Sequence, residues 1–204
     1  KQSIEINDKS GMKNVATISA NGDENIGSLI ADAVSKVGKN GVVTIEEAKG
    51  LATSLNIIDG LQIDRGYLSS YFVTHENKML CELEDPYVLV TDQKIESLND
   101  VIGILEQIHK TGKSLLIIAD DINGDALQGL VLNKLKASLK ICAIKAPSYG
   151  ENRKEILKDI ASLAGTDAIL RETGISLQKL GINDLGRCKK VISHKYSTVL
   201  IGKE

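Results

Sequence analysis

Leu115-Leu116-Ile117-Ile118-Ala119, then Asp120-Asp121-Ile122-Asn123-Gly124, then Asp125-Ala126-Leu127-Gln128-Gly129-Leu130-Val131-Leu132-Asn133-Lys134-Leu135-Lys136, is the stretch that decides the fold. Five apolar residues in a row, with no polar alternation, read as a strand buried on both faces. The acidic and Asn residues that follow are of the kind that cap a helix and favour its positive end. From Asp125 to Lys136 the apolar residues return at helical spacing. Leu139 to Ala146 is strand-like again and ends in the turn Pro147-Ser148-Tyr149-Gly150.

The same alternation extends outward on both sides. Tyr87 to Thr91 reads as a strand and Leu98 to Lys110 as a helix stopped by Thr111-Gly112. Glu151 to Ala164 reads as a helix closed by Gly165, and Ala168–Leu170, Lys190–Ser193 and Thr198–Ile201 as short strands. Nearer the start, a helix is expected over residues 19–38, with Asp23 as N-cap and Gly38 as stop. The turn Lys39-Asn40-Gly41 and the strands Val42–Ile45 and Leu55–Ile58 follow, ending at Asp59-Gly60. The expected class is α/β: sheet layers flanked by helices, with a smaller α/β segment before Gly60. Gly60 is free of the Cβ constraint and is the expected hinge.

Composition narrows the function. Five Tyr, one Phe and no Trp are too few for a base-stacking surface, and a net charge of -2 gives no basic footprint for nucleic acid. No apolar run reaches the roughly 20 residues that span a bilayer, and the first residues, Lys-Gln-Ser-Ile-Glu, contain no signal-like apolar region. The start without Met suggests a piece of a longer chain. Cys81, Cys142 and Cys188 are widely spaced and odd in number, which points to reduced structural cysteines in a reducing compartment.

Several motifs imitate chemistry. Thr111-Gly112-Lys113-Ser114 resembles the end of a phosphate-binding loop, but Gln107 stands where the first glycine is needed and the strand follows rather than precedes. Asp120, Asp121, Asn123 and Asp125 cluster without calcium-loop spacing, which favours a helix cap; the rival is an enzyme using Asp120, Asp121 and Asp125 as a metal or acid/base site. His75, His109 and His194 have no ligand spacing, and no metal site is expected. Arg153 and Lys154, with the nearby Lys145, fit a solvated helix face.

The helix pattern carries the one anomaly. In the helix 98–110, Leu98, Val101, Ile102, Ile104, Leu105 and Ile108 spread over roughly 160° of the circumference. In the helix 125–136, Ala126, Leu127, Leu130, Val131, Leu132 and Leu135 spread over roughly 240°, more than one sheet can cover. The excess faces a thick core, a neighbouring subunit, or water. If water, the two helices form an exposed apolar groove able to take many loosely matching apolar chains, with Glu106, Asn133 and Lys136 as polar neighbours for a peptide backbone.

Asp64-Arg65-Gly66-Tyr67-Leu68-Ser69-Ser70-Tyr71-Phe72 resembles the motif Asp-Arg-Gly-Tyr-Leu-Ser-Pro-Tyr-Phe of the GroEL-type group I chaperonins. Thr17–Asn21, Val37–Val42, Leu115–Asp121 and Lys145–Gly150 with Arg153-Lys154 match the same family in its order and spacing, so the likeness covers nearly the whole chain. It implies that residues 1–59 are an intermediate-domain segment with the hinge at its end. Residues 60–204 are then an apical polypeptide-binding domain whose last helices are missing. It also implies that Tyr67, Tyr71, Phe72, Ile102, Leu105, Leu127, Val131, Leu132 and the polar Asn133 bind non-native polypeptide and, in exchange, the mobile loop of a co-chaperonin.

The resemblance further implies heptameric homo-oligomeric rings in the full-length subunit, a cycle driven by ATP and Mg2+, and a nucleotide site outside this chain, so that the fragment itself is no enzyme and binds no cofactor. At most Thr17 to Ser19 would approach nucleotide. Ser70 stands where the motif has proline, which loosens the loop before Tyr71. Ser148-Tyr149 and Thr91-Asp92-Gln93-Lys94 look more like plastid-type members. The expected location is an organelle matrix or stroma, plastid or mitochondrial, or a bacterial cytoplasm. The alternative to a chaperone is a structural oligomer subunit whose apolar helices are permanently buried.

Overall fold

The computed structural model describes residues 9–37 and 60–203. The chain divides into two compact units, Lys1–Asp59 and Gly60–Glu204. The strands expected at 42–45 and 55–58, and the turn before them, lie outside the described residues.

In the first unit, α1 (Lys9–Ser19) and α2 (Glu24–Val37) form a helical pair. The helix expected from residue 19 starts instead at Glu24, because Asn21 and Gly22 turn the chain at positive φ (56° and 91°) and Ser19 ends α1. Asp23 caps α2 as its position suggests: its Oδ1 accepts from the amides of Asn25 (2.9 Å) and Ile26 (3.1 Å). The helices meet at Gly27, where a Cβ would stand 2.0 Å from Thr17 Oγ1, so only glycine permits the approach.

The second unit holds two four-stranded sheets. One is antiparallel, in the order β1 (Gly60–Ile63), β10 (Thr198–Ile201), β9 (Lys190–Ser193), β2 (Cys81–Glu84). The other runs β7 (Ile141–Lys145), β5 (Leu115–Ala119), β3 (Tyr87–Val90), β8 (Gly186–Arg187); its first three strands are parallel and β8 is an antiparallel edge. A two-stranded parallel pair, β4 (Lys94–Ile95) and β6 (Asp121–Ile122), stands beside it.

Parallel strands need crossovers. Those here are α3 (Ile102–Thr111) between β3 and β5, and α4 (Gly124–Ala137) between β5 and β7; α5 (Gly150–Leu163) follows β7. β5 lies between β3 and β7, and all five of its residues are fully buried, as the unbroken apolar run requires. The architecture is mixed α/β, the class the sequence pattern leads one to expect.

Two elements depart from expectation. The helix expected from Leu98 begins as a 3-10 turn, Leu98–Asp100, and becomes α-helical only at Ile102. Ser97 and Asp100 form a capping box there: Asp100 Oδ2 accepts from the amides of Glu96 (3.1 Å) and Ser97 (3.0 Å). Ala168–Leu170 makes a single bridge, Ile169 to Thr91, rather than a strand.

Candidate functional site

Four of the large apolar side chains that reach solvent in the second unit stand on α3, α4 and the 3-10 turn Ser70–Phe72; Met79, Tyr149, Ile175 and Tyr196 are exposed elsewhere. Ile102 at the start of α3 is 42% exposed, Leu132 and Leu135 on α4 are 49% and 59% exposed, and Tyr71 is 63% exposed. Leu127 and Val131 are half-buried, each with one side on the core. Tyr67 is half-buried too, bridged to Ile144, with its hydroxyl donating to the Met79 carbonyl at 3.3 Å.

Short-range contacts hold these elements together. Leu98 packs onto Gly129 so closely that a Cβ at 129 would lie 3.0 Å from its Cδ2, which brings the start of the α3 segment against the middle of α4. At the other end of α4, Lys134 Nζ donates to the carbonyls of Tyr71 (2.5 Å) and Val73 (2.7 Å). Ser69 Oγ accepts from the Tyr71 amide at 3.3 Å and starts the turn. Burial lowers the pKa of the Lys134 ammonium, which donates to both carbonyls. The result is an apolar ridge on three elements with a charged tether beneath Tyr71.

Two members of the expected set are sealed from solvent. Leu105 is 3% exposed and Phe72 fully buried; both belong to the core. Leu105 is buried because it shares the inner side of α3 with Ile104 and Ile108. Phe72 points inward because the 3-10 turn that projects Tyr71 turns the next side chain the other way. Asn133 is not free to serve a peptide with both its amide hydrogens, because its Nδ2 donates to Gly129 O at 2.9 Å one turn back in its own helix. Leu135 and Lys134 were outside the set that the family motif implies. Leu135 does lie in the 240° arc, so the arc alone would have found it; Lys134 gives no sign of its tethering role in sequence.

The imitative motifs resolve into structure. Gly112, at φ 66°, closes α3 as a left-handed C-cap, and Lys113 Nζ is paired with Asp85 at 2.7 Å, so Thr111–Ser114 does not fit a nucleotide phosphate. Asp120 is held by Arg153 and, at 3.3 Å, by Arg171. Asp121 pairs with Lys145 at 2.8 Å, which keeps its carboxyl below the usual range. Both carboxylates are therefore committed to tying α5 and the strand ends together. No helix among the described residues is long and apolar enough to cross a membrane.

Comparison with protein families places this α/β chain among the molecular chaperones. It belongs to the TCP-1/cpn60 chaperonin family, whose model matches residues 1–202.

Proposed function

We propose that the chain is the polypeptide-binding part of a GroEL-type group I subunit. In this reading the unit Gly60–Glu204 is the apical domain, the unit before it is an intermediate-domain segment, and Gly60 is the hinge between the two. The observation that carries it is the set of aliphatic and aromatic side chains held in the open at Ile102, Leu132, Leu135 and Tyr71, on elements tied together by Leu98, Gly129 and Lys134. Non-native chains dock there by burying apolar surface, at roughly 25 cal/mol per Å2 removed from water. That attraction is non-directional, which suits partners of varied sequence. Tyr67, Leu127 and Val131 form the inner wall, and Asn133 keeps its carbonyl oxygen as the polar contact at the edge.

Release follows from competition. The mobile loop of a co-chaperonin takes the same side chains, and the domain's change of orientation shifts the balance between the two occupants. ATP and Mg2+ power the cycle of the full-length, ring-forming subunit at a site this chain does not supply. The plastid-like segments Ser148-Tyr149 and Thr91–Lys94 favour an organellar member.

The test is binding of an unfolded reporter protein to Ile102→Glu and Leu132→Glu variants. Both side chains are exposed, so thermal stability and circular dichroism stay those of the parent. Affinity falls at least about tenfold, because a charge must be desolvated on docking. Unaltered affinity in both variants would end this reading.

A further inference from the structure

Two large apolar side chains outside α3, α4 and the Tyr71 turn meet at one end of the antiparallel sheet: Met79, 53% exposed, and Tyr196, 74% exposed. β2 and β9 pair with Cys81 opposite Ser193. Two residues beyond that pair stand Met79, on the approach to β2, and Lys195, on the exit from β9, with Tyr196 next in the hairpin tip. Tyr67 spans the same end. Its amide donates to the His194 carbonyl at 3.1 Å, and its hydroxyl to the Met79 carbonyl at 3.3 Å. Gly66 beside it lies against the backbone of His194 and Lys195 and leaves no room there for a Cβ. The Lys195 ammonium stands 5.2 Å from the centroid of the Tyr196 ring and steadies the ring at the tip.

Neither exposed side chain serves the fold. Met79 closes the 3-10 turn Glu76–Lys78 in the left-handed conformation, φ 49° and ψ 46°. That conformation suits glycine and costs free energy for a residue with a Cβ. With half of its side chain in water, burial does little to offset the cost. Tyr196 sits in the tight β9–β10 connection, which the His194 amide closes on the Ser197 carbonyl at 2.7 Å. Such tips favour Gly, Asn and Asp. A strained apolar residue kept in the open, beside an aromatic ring kept in the open, points to a contact outside the chain's own core.

The patch is continuous with the ridge on α3, α4 and Tyr71. Tyr67 and Tyr71 are four residues apart, at most about 14 Å of chain. Beyond Tyr71, the Thr74 amide donates to the Leu80 carbonyl at 3.0 Å, next to Met79. We infer that Met79 and Tyr196, with Tyr67 between them, form a second docking subsite for another apolar segment of the same non-native chain that lies on the ridge. The inference rests on the reading of that ridge as a polypeptide-binding surface. A thioether and two phenol rings favour aromatic side chains, through sulfur–ring contacts and offset ring pairs. Once one segment is docked, the second binds intramolecularly, at an effective concentration set by the residues between them. A chain that has lost its fold offers several apolar segments, whereas a folded protein with one loose loop offers one. The pair of subsites therefore selects extensive unfolding over a single exposed segment.

The experiment titrates two labelled peptides by fluorescence anisotropy. One carries a single aliphatic segment. The other carries that segment joined to an aromatic one through about eight Gly/Ser residues, whose root-mean-square reach of about 16 Å matches the span. Each is measured against the parent chain, Met79→Gly/Tyr196→Ser and Ile102→Glu. Glycine suits the left-handed position and serine the exposed tip, so circular dichroism and the urea midpoint confirm an intact fold. The two-segment peptide should bind the parent at least about tenfold more tightly than the single-segment one. The double variant should lose that gain and leave single-segment binding unchanged, while Ile102→Glu weakens both peptides. A gain of only about twofold, as doubling the number of segments supplies by itself, overturns the second subsite while the ridge reading stands. So does a gain that survives the double variant, or equal weakening of both peptides by it. Binding of both peptides indifferent to Ile102→Glu ends the ridge reading and this inference with it. A parent that self-associates in sedimentation velocity, beside a monomeric double variant, assigns the patch to a second copy of the chain and overturns the proposal as well.

Discussion

Helices α3 and α4 carry similar stocks of aliphatic residues, and the fold uses them differently. On α3, Ile104, Leu105 and Ile108 are sealed, and only Ile102 in the first turn is open. On α4, Ala126 and Leu130 are sealed, Leu127 and Val131 are half-covered, and Leu132 and Leu135 stand in solvent. The narrower arc of α3 fits under what its neighbours can cover. Those neighbours include the segment around residues 178–182, where Gln178 Nε2 donates to Asp100 Oδ1 (3.1 Å) and the Ile182 amide to Gln107 Oε1 (3.0 Å). The arc of α4 exceeds what a sheet and the turns at Leu98 and Tyr71 can shield. An uncovered apolar face is therefore marked by the width of the apolar arc in excess of its cover, and not by the number of apolar residues.

If that contrast holds, the largest effect comes from the sealed side of α3. Leu105→Ala leaves a cavity in a packed core and should cost about 2–5 kcal/mol of stability, read from the urea midpoint at constant slope. Any loss of polypeptide binding should then follow the unfolded fraction. A change below about 0.5 kcal/mol, the ordinary range for a surface site, would show that Leu105 is exposed as the family motif implies and that the contrast is mistaken.

The next effect belongs to the tether. Lys134→Met keeps the aliphatic stem but leaves the Tyr71 and Val73 carbonyls without their donor, for a loss of about 1–3 kcal/mol. Hydrogen exchange should quicken at the Phe72 and Val73 amides, which close the turn onto Ser69 and Ser70, while the α3 amides keep their protection. Equal acceleration on both helices would mean that Lys134 supports the whole unit.

Asp100→Ala probes how α3 is fixed at its start. Burial pushes this carboxyl up, but the amides of Ser97 and Glu96 and the Gln178 side chain outweigh it and hold it below the usual range. A lowered folded value means that its contribution is complete above the unfolded value near 4 and is lost as pH falls through and below it. The variant should be about 1 kcal/mol less stable at pH 7, and the gap should shrink progressively below about pH 4. A gap independent of pH would assign the loss to packing.

How much of this was legible in sequence depends on the range of the forces involved. β5 was legible because a strand buried on both faces has no alternation to hide, and α4 because apolar residues recur along it from Ala126 to Leu135. β1 and β2 were not anticipated: each is four residues long and gains its identity from partners more than a hundred residues away, β10 and β9. The 3-10 start of α3 was hidden because Leu98 and Val101 keep helical spacing while Ser97 and Asp100 fix a tighter turn. Within the site, Ile102 and Leu132 could be named from spacing and family motif together. Leu105 and Phe72 could not be excluded, since which side of a short element faces inward is decided by what packs on it.

The smallest effect on stability discriminates most finely between arc and motif as guides to the surface. Leu135 lies outside the set the family motif implies, yet it is the most exposed aliphatic side chain on α4. Leu135→Ser should change the unfolding free energy by no more than about 0.5 kcal/mol, because little is buried there to lose. Binding of an unfolded reporter should still weaken about two- to fivefold, in keeping with one partly buried aliphatic contact at roughly 25 cal/mol per Å2. Titrations of the parent, Leu132→Ser and Leu135→Ser by fluorescence anisotropy would rank the two positions. Comparable losses mean that the open side of α4 acts as one surface, its extent set by helix geometry; a loss at Leu132 alone confines docking to the turn nearest α3 and restores the narrower site.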